Sequence, residues 1–391
     1  MRLSIAIACL LAILSVHDKL SIADTVPPPH PFTAPINQLL HLYIPDKVEF
    51  CGEPVPLTKE DVTERLDTEL VVIMGNPIDA TLWFKRAPRY FPMIERLTRQ
   101  MGLPEDLKYV ALIESNLRAD AVSSAGATGP WQFMEATGAS CNLENTPWRD
   151  DRRQWELATK AALKHLADLR ATFGSWALAL AAYNAGSARI SKDMDVQNEK
   201  DFYGLKLPRE TERYVLRAIA AKLIMENPAA YGIDLKGARL YEPECTDVVT
   251  LDIQNETIPV WVLAHAAGIS YRGFIQLNPW IVNSYIPRGG YDFTVPAKAL
   301  QHFKDAVSAW EYSHPEAKWH EPAETKIKIT KKDAPKRKNK VATVYHVKKG
   351  DTINGIARQY GIKTNELCKL NGISKKRPIR PGQKLKIRKE L

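Results

Sequence analysis

The stretch from Lys108 to Met134 reads KYVALIESNLRADAVSSAGATGPWQFM, and it changes character at Glu114. Leu107, Val110, Ala111 and Glu114 fall at i, i+3, i+4 and i+7. A helical reading therefore puts three apolar residues and then a carboxylate on one face. An inward-facing carboxylate is costly when ionised, so its pKa rises and it holds a proton near neutral pH. That is what a general acid requires. The Gly- and Ser-rich residues that follow suit a loop that lets a polymer approach closely. A glutamate at a helix end is, by itself, more often solvated or salt-bridged. The weight of Glu114 thus rests on the remainder of the chain.

Four segments recur in a set order: Glu114-Ser115, then Gly129-Pro130-Trp131-Gln132-Phe133-Met134, then Ala182-Tyr183-Asn184-Ala185-Gly186, then Glu210-Thr211-Glu212-Arg213-Tyr214-Val215. Their order and spacing, over about Trp83 to Ile224, resemble the catalytic domain of lytic transglycosylases in the soluble lytic transglycosylase and goose-type lysozyme superfamily. One departure is Pro130, where the family usually carries an aliphatic residue; proline stiffens a loop without removing a functional group. The resemblance implies a mainly α, lysozyme-like catalytic domain that cleaves the MurNAc-β-1,4-GlcNAc bond of peptidoglycan and leaves 1,6-anhydroMurNAc ends. Glycosidic cleavage usually takes two carboxylates. Here only Glu114 matches a catalytic position, and the resemblance makes it acid and then base, with the substrate's 2-acetamido group supplying the second function.

The same resemblance implies substrate-binding roles for seven residues, and Trp131 is an eighth candidate. Ser123 contacts the acid or the acetamido group, or else caps its loop. Gln132 is a sugar-binding amide. Met134 packs on a sugar face or in the core. The Tyr183 hydroxyl steadies the acetamido group or the carboxylate, and Asn184 beside it binds substrate or caps the helix. Glu210 and Tyr214, one turn apart, shape the cleft. Trp131 stacks on a sugar or fills core space. Two rival readings remain. A goose-type lysozyme-like hydrolase would need a second carboxylate, with Asp120 the nearest candidate, although a turn-stabilising role suits that aspartate better. A non-catalytic wall-binding protein would have no need of Glu114, Gln132 and Tyr183 together.

Further along, the chain repeats itself. Ile356-Ala357-Arg358-Gln359-Tyr360-Gly361-Ile362 and Leu370-Asn371 map, 93 positions back, onto Leu263-Ala264-His265-Ala266-Ala267-Gly268-Ile269 and Leu277-Asn278. One inserted residue then maps Leu385 and Ile387 onto Phe293 and Val295. Each copy reads strand, short helix, Gly turn, short helix, Gly/Pro turn, strand. The second copy, from Tyr345 through Gly350-Asp351-Thr352 to Ile387, resembles a LysM module, a βααβ fold that binds N-acetylglucosamine polymers in a shallow groove. The first copy has Gln254-Asn255-Glu256-Thr257 in place of the Gly-Asp-Thr. It is a degenerate module, for which sugar binding and mere packing on the catalytic domain are both open.

Composition bounds the compartment. The chain of 391 residues is long enough for several domains. An apolar run from Ile5 to Leu14 is too short for a bilayer span and fits the h-region of a secretory signal, with Ser21-Ile22-Ala23 as a cleavage site. Cys9 sits too early to be a lipoprotein cysteine, so the reading is a soluble exported protein, periplasmic or cell-wall associated. No other apolar run is long enough to span a bilayer. Cys51, Cys141, Cys245 and Cys368 remain after cleavage, far apart and without a metal-ligand spacing; three disulfide pairings or free thiols are all open. No cofactor or metal is called for. Residues 321–391 carry 21 Lys+Arg against 6 Asp+Glu, and the rest 33 against 39. The basic end implies a polyanionic partner; wall polymers fit an exported protein and nucleic acid does not. The resulting division is a signal at 1–23, an N-terminal wrap at 24–80, a catalytic domain at 81–240, a degenerate LysM-like module at 246–300, a basic linker at 301–341 and a LysM module at 342–391. The sequence leaves oligomeric state and exo versus endo action open.

Overall fold

In α1 (Glu60–Gly75), the apolar residues Val62, Leu66, Leu70 and Ile73 recur at helical spacing and all face inward. Glu60 and Asp61 occupy its first turn, where carboxylates meet the positive end of the helix dipole. This helix lies within the stretch read as an N-terminal wrap at 24–80. Ahead of it stands a two-stranded hairpin, β1 (Glu49–Phe50) and β2 (Glu53–Pro54). The computed structural model describes residues 39–315, 341–348, 351–360, 363–373 and 379–389. The signal read at 1–23 and the linker residues 316–340 lie outside these. The described residues fall into two compact units, one within 1–321 and one within 322–391.

In the first unit, α2 (Pro77–Gln100) opens on a proline, whose fixed φ suits a first helical position. A tight turn at Glu105–Leu107 leads into α3 (Lys108–Ser115), the helix that ends on the Glu114 segment. Then come α4 (Glu135–Ser140), α5 (Trp155–Phe173), α6 (Trp176–Ala185), α7 (Ser187–Gln197) and α8 (Arg209–Glu226). Ser175 caps α6, its Oγ accepting the Leu178 N–H at 3.2 Å. Residues Trp176 to Ala182 are all buried, so α6 is the central helix, and it packs on α5 and α8. The latter also receives α1 and α3. Helices α1, α3 and α6 of this body therefore share one packing partner, α8.

The same unit continues into a βααβ module: β3 (Thr246–Pro259), α9 (Val260–Ala266), α10 (Tyr271–Leu277) and β4 (Tyr285–Pro296). The strands are antiparallel, from Thr246 opposite Pro296 to Pro259 opposite Tyr285, with an irregularity between Ile253 and Thr257. Val249, Ile253, Ile258, Phe293 and Val295 turn inward. The module is built into the helical body. The Asp150 N–H donates to the Trp280 carbonyl at 2.8 Å, and the Val282 N–H to the Trp148 carbonyl at 3.0 Å. One boundary needs correction. The stretch read as linker from 301 begins with a helix, α11 (Leu300–Ser313), because Phe303 and Val307 on one of its faces are buried against the module.

The second unit has the same order: β5 (Val341–His346), α12 (Ile353–Gln359), α13 (Thr364–Asn371) and β6 (Lys384–Lys389), with β5 and β6 antiparallel. Asp351 accepts from the Lys348 N–H and the Tyr345 hydroxyl, each at 2.8 Å, and the Thr352 hydroxyl caps α12 through the Gly355 N–H at 3.1 Å. These are the Asp and Thr of the Gly-Asp-Thr motif.

The repeat is also visible as a shared hydrogen-bond device. In the first module, the Asn278 amide donates to the Phe274 carbonyl at 3.1 Å and the Thr294 carbonyl at 2.8 Å, and its oxygen accepts the Thr294 N–H at 2.7 Å. In the second, Asn371 does the same with the Leu367 carbonyl at 2.9 Å, the Lys386 carbonyl at 2.9 Å and the Lys386 N–H at 2.6 Å. A side-chain amide thus ties the end of the second helix to the last strand in both copies. Among the described residues, all four cysteines are free, no helix is long and apolar enough to cross a membrane, and no His/Cys/Asp/Glu cluster could hold a metal ion. Asn278→Ala should cost about 2–4 kcal/mol by leaving buried backbone groups unpaired. Hydrogen exchange of the β4 amides checks this, with the α6 amides as the unaffected reference.

Candidate active site

Glu114 owes its position to the last turn of α3. Asn116 follows that helix in the left-handed region (φ 53°), a conformation asparagine tolerates at a helix end. Its side chain is clamped by α2: Trp83 Nε1 donates to Oδ1 at 2.6 Å, and Nδ2 donates to Asp79 Oδ1 at 2.9 Å. An Arg86 guanidinium N–H donates to the Asn116 carbonyl at 2.8 Å. Ser115 is buried, and its hydroxyl reaches the Pro130 carbonyl at 2.9 Å. The end of α3 is therefore held from two sides, and Glu114 projects from a fixed base.

The partner of Glu114 comes from α8. The buried Tyr214 hydroxyl donates to Glu114 Oε1 at 2.5 Å. Burial raises the Glu114 pKa to about 7, against the opposing pull of the Tyr214 hydrogen bond and the Arg217 charge. Tyr214 is pushed well above the usual tyrosine range, by burial and by the neighbouring Glu114, so it stays a donor at any physiological pH. A half-buried carboxyl that titrates near neutrality beside one fixed donor can give a proton and take it back.

Tyr183 of α6 also lies in the field of Glu114, but its hydroxyl donates to the Trp131 carbonyl at 2.8 Å. Of the two tyrosines singled out in the sequence, Tyr214 is thus the one that holds the carboxylate, while Tyr183 holds the loop. The loop itself depends on Gly129, at φ +85°. A Cβ there would come within 1.7 Å of the Arg152 carbonyl, so only glycine permits the approach. Trp131 is fully buried, with Nε1 donating to Thr159 Oγ1 at 2.9 Å, so it is a core residue and not a sugar platform.

The remaining candidates separate. Ser123 Oγ accepts the Ala127 N–H at 3.0 Å and so caps its own loop. The Gln132 amide donates to the Gly129 and Ala121 carbonyls at 2.8 and 3.2 Å, bracing the same loop from a left-handed backbone position. Met134 is 45% exposed, which rules out the core alternative. Asn184 accepts from the Thr211 hydroxyl at 2.9 Å and joins α6 to α8; the C-terminal cap of α6 is at Gly186 instead. Glu210 is exposed and pairs with Arg217 at 3.1 Å. Asp120 is exposed, bound by Arg118 at 3.0 Å, and its carboxyl is held below the usual range by that hydrogen bond.

Sequence reading missed Asn116, Arg217 and Glu69, and it placed Ser115 in a motif without giving it a role. Of the missed residues, Glu69 has the clearest signal, a carboxylate set beside Leu66, Leu70 and Ile73 on the buried face of α1.

With this geometry in view, residues 91–205 match the family described as Transglycosylase SLT domain, and residues 345–388 match the LysM domain. The chain carries both domains. It is 29% identical over 317 residues to the membrane-bound lytic murein transglycosylase D of Escherichia coli strain K12, covering 79% of this chain and 65% of that protein. It thus spans somewhat less than two thirds of that curated relative's length. A second relative is a putative tributyltin chloride resistance protein of Alteromonas sp. strain M-1, 29% identical over 152 residues, with 37% of this chain and 73% of that protein covered. Among solved structures, a complex of the 70-kDa soluble lytic transglycosylase with bulgecin A aligns at 19% identity, over 45% of this chain and 30% of that one, with a TM-score of 0.34. The Pseudomonas aeruginosa lytic transglycosylase Slt aligns at 19% identity, over 48% and 32%, with a TM-score of 0.30.

Tyr214→Phe removes the donor to Glu114 with little change in volume. The charged form of Glu114 loses its hydrogen bond, so its titration midpoint should move further up. A 13C-detected titration of the Glu114 carboxyl reads this directly; a midpoint that stays or falls contradicts the assignment.

Proposed function

We propose that the chain is a lytic transglycosylase that cleaves the MurNAc-β-1,4-GlcNAc bond of peptidoglycan and forms 1,6-anhydroMurNAc ends. The observation that carries this reading is the Tyr214–Glu114 contact at a carboxyl raised to about 7. The SLT match and the 29% identical murein transglycosylase supply the substrate class. Action on such a substrate supports the reading of an exported protein.

Protonated Glu114 gives its proton to the bridging oxygen as the bond from C1 to that oxygen breaks. The 2-acetamido oxygen of the muramic residue shields the positive charge at C1. Glu114, now a carboxylate steadied by Tyr214, takes the proton of the C6 hydroxyl as O6 bonds to C1. The acid is regenerated and no water is consumed. The paired states of Asp120 and Glu210 support a single-carboxylate mechanism over a hydrolytic one, because each already has an arginine partner. Gln132, Tyr183, Asn184 and Ser123 act by holding the walls of the cleft, while exposed Met134 offers a sugar-contacting surface. The LysM match at 345–388 supports glycan-strand binding by the C-terminal unit, whose excess of lysine and arginine favours an anionic wall.

Mass spectrometry of muropeptides released from purified peptidoglycan should show ends lighter by one water than the reducing form. Glu114→Gln should slow release by about 10²–10⁴-fold while wall binding persists. Reducing ends, or full activity in that variant, would overturn the mechanism. Removal of 342–391 should weaken sedimentation with the wall and leave slower cleavage; undiminished binding would remove the LysM unit from the account.

A further inference from the structure

Glu69 of α1 is a carboxylate taken almost wholly out of water, at 1% exposure. Such a charge needs partners, and α8 supplies two. The Arg213 guanidinium bonds both Glu69 oxygens, and Arg217 Nε lies 3.3 Å from Glu69 Oε2. A third link runs from Arg217 Nη1 to Glu210 Oε1 at 3.1 Å. On α8, Glu210, Tyr214 and Arg217 recur at i, i+4 and i+7 and so share one face. Tyr214 on that face touches Glu114. Arg217 is therefore the cation one turn beyond the residue that holds the acid, and its own charge is shared between two carboxylates.

The other charged or titratable groups around Glu114 are already committed. From α8 these are Glu210 and Tyr214, and from α6 it is Tyr183, bonded to the Trp131 carbonyl. From α2, Arg86 is bonded to the Asn116 carbonyl and Asp79 to the Asn116 amide. In the loop after α3, Arg118 and Asp120 pair with each other at the surface.

We propose that Glu69 and Arg217 form a charge-setting pair behind the cleft, in which Arg217 favours Glu114 as a carboxylate and Glu69 limits that pull by neutralising Arg217. Both are positioning residues that act through Glu114. The inference rests on the role given to Glu114 above, since an acid that must also serve as base works best when neither form is strongly favoured. Removing Arg217 takes away the positive charge; removing the Glu69 charge leaves Arg217 under-compensated. The two changes must therefore move Glu114 in opposite directions, which loss of packing alone would not do.

The test uses the full-length chain as Arg217→Gln, Glu69→Gln, the double variant and Arg217→Lys. The readout is the pH dependence of kcat/KM for anhydro-end release, beside the 13C titration of Glu114 without substrate. In the wild type, activity falls as pH rises through the Glu114 titration, because the acid must begin protonated. Arg217→Gln should move that falling limb up and Glu69→Gln should move it down, each by about half to one unit, screening at the partly exposed guanidinium limiting the size. The double variant should return towards wild type, and Arg217→Lys should keep the wild-type limb. Shifts in the same direction overturn the proposal, as does an unmoved limb in Arg217→Gln, a variant that decides the matter even where Glu69→Gln folds poorly. Opposite shifts in the 13C titration, with no anhydro ends from the wild type, would uphold the charge pair and overturn the reaction assigned to it.

Discussion

The hydrogen bond from Tyr214 to Glu114 joins two helices about a carboxyl that water no longer fully solvates. Burial pushes that carboxyl towards its neutral form, and the hydrogen bond to the charged form, with the Arg217 charge, opposes the push. Such a balance tolerates little movement, because the strength of a charge-assisted bond depends steeply on its geometry. Much of the surrounding architecture can be understood as the means of holding those two oxygen atoms in place. Asn116 and Ser115 fix the end of α3, Asn184 and Glu69 fix α8, and Gly129 lets the intervening loop close on the Arg152 carbonyl.

Polar groups in this body therefore do most of their work on other protein groups. Ser123, Gln132 and Tyr183 each spend hydrogen bonds on backbone atoms of the same loop. A loop whose polar groups are already satisfied internally keeps its shape without a ligand. Asp120 is a poor second carboxylate. An exposed ion pair with Arg118 keeps it ionised and faces it towards solvent.

The two βααβ units show one sequence pattern used in two ways. Asn278 and Asn371 tie helix to strand by the same three bonds. The copy with Gly-Asp-Thr uses Asp351 and Thr352 to order the turn into its first helix. The copy without it is bound into the helical body through Trp280 and Val282, and α11 covers it. The lysine-rich residues after Pro315 make the whole of 301–341 read as one linker. Leu300, Phe303, Val307 and Trp310 nevertheless recur at helical spacing, so the periodicity of α11 is present in the chain.

Helix positions, the repeat and the motif order could be read from the chain, because apolar periodicity and turn residues are local properties that neighbours in sequence decide. Glu114 stood out for the same reason, as a carboxylate on an apolar face. Which tyrosine would reach it could not be read, since Tyr183 and Tyr214 both lie in matching motifs and only the packing of α6 and α8 against α3 determines their distances. Nor could the partners of Glu69, which sit 144 and 148 positions away. The sequence by itself determined the elements and singled out Glu114 as an inward-facing carboxylate. The tertiary structure decided what surrounds the acid, because burial and charge act through space and fall off over a few ångströms, whatever the separation along the chain.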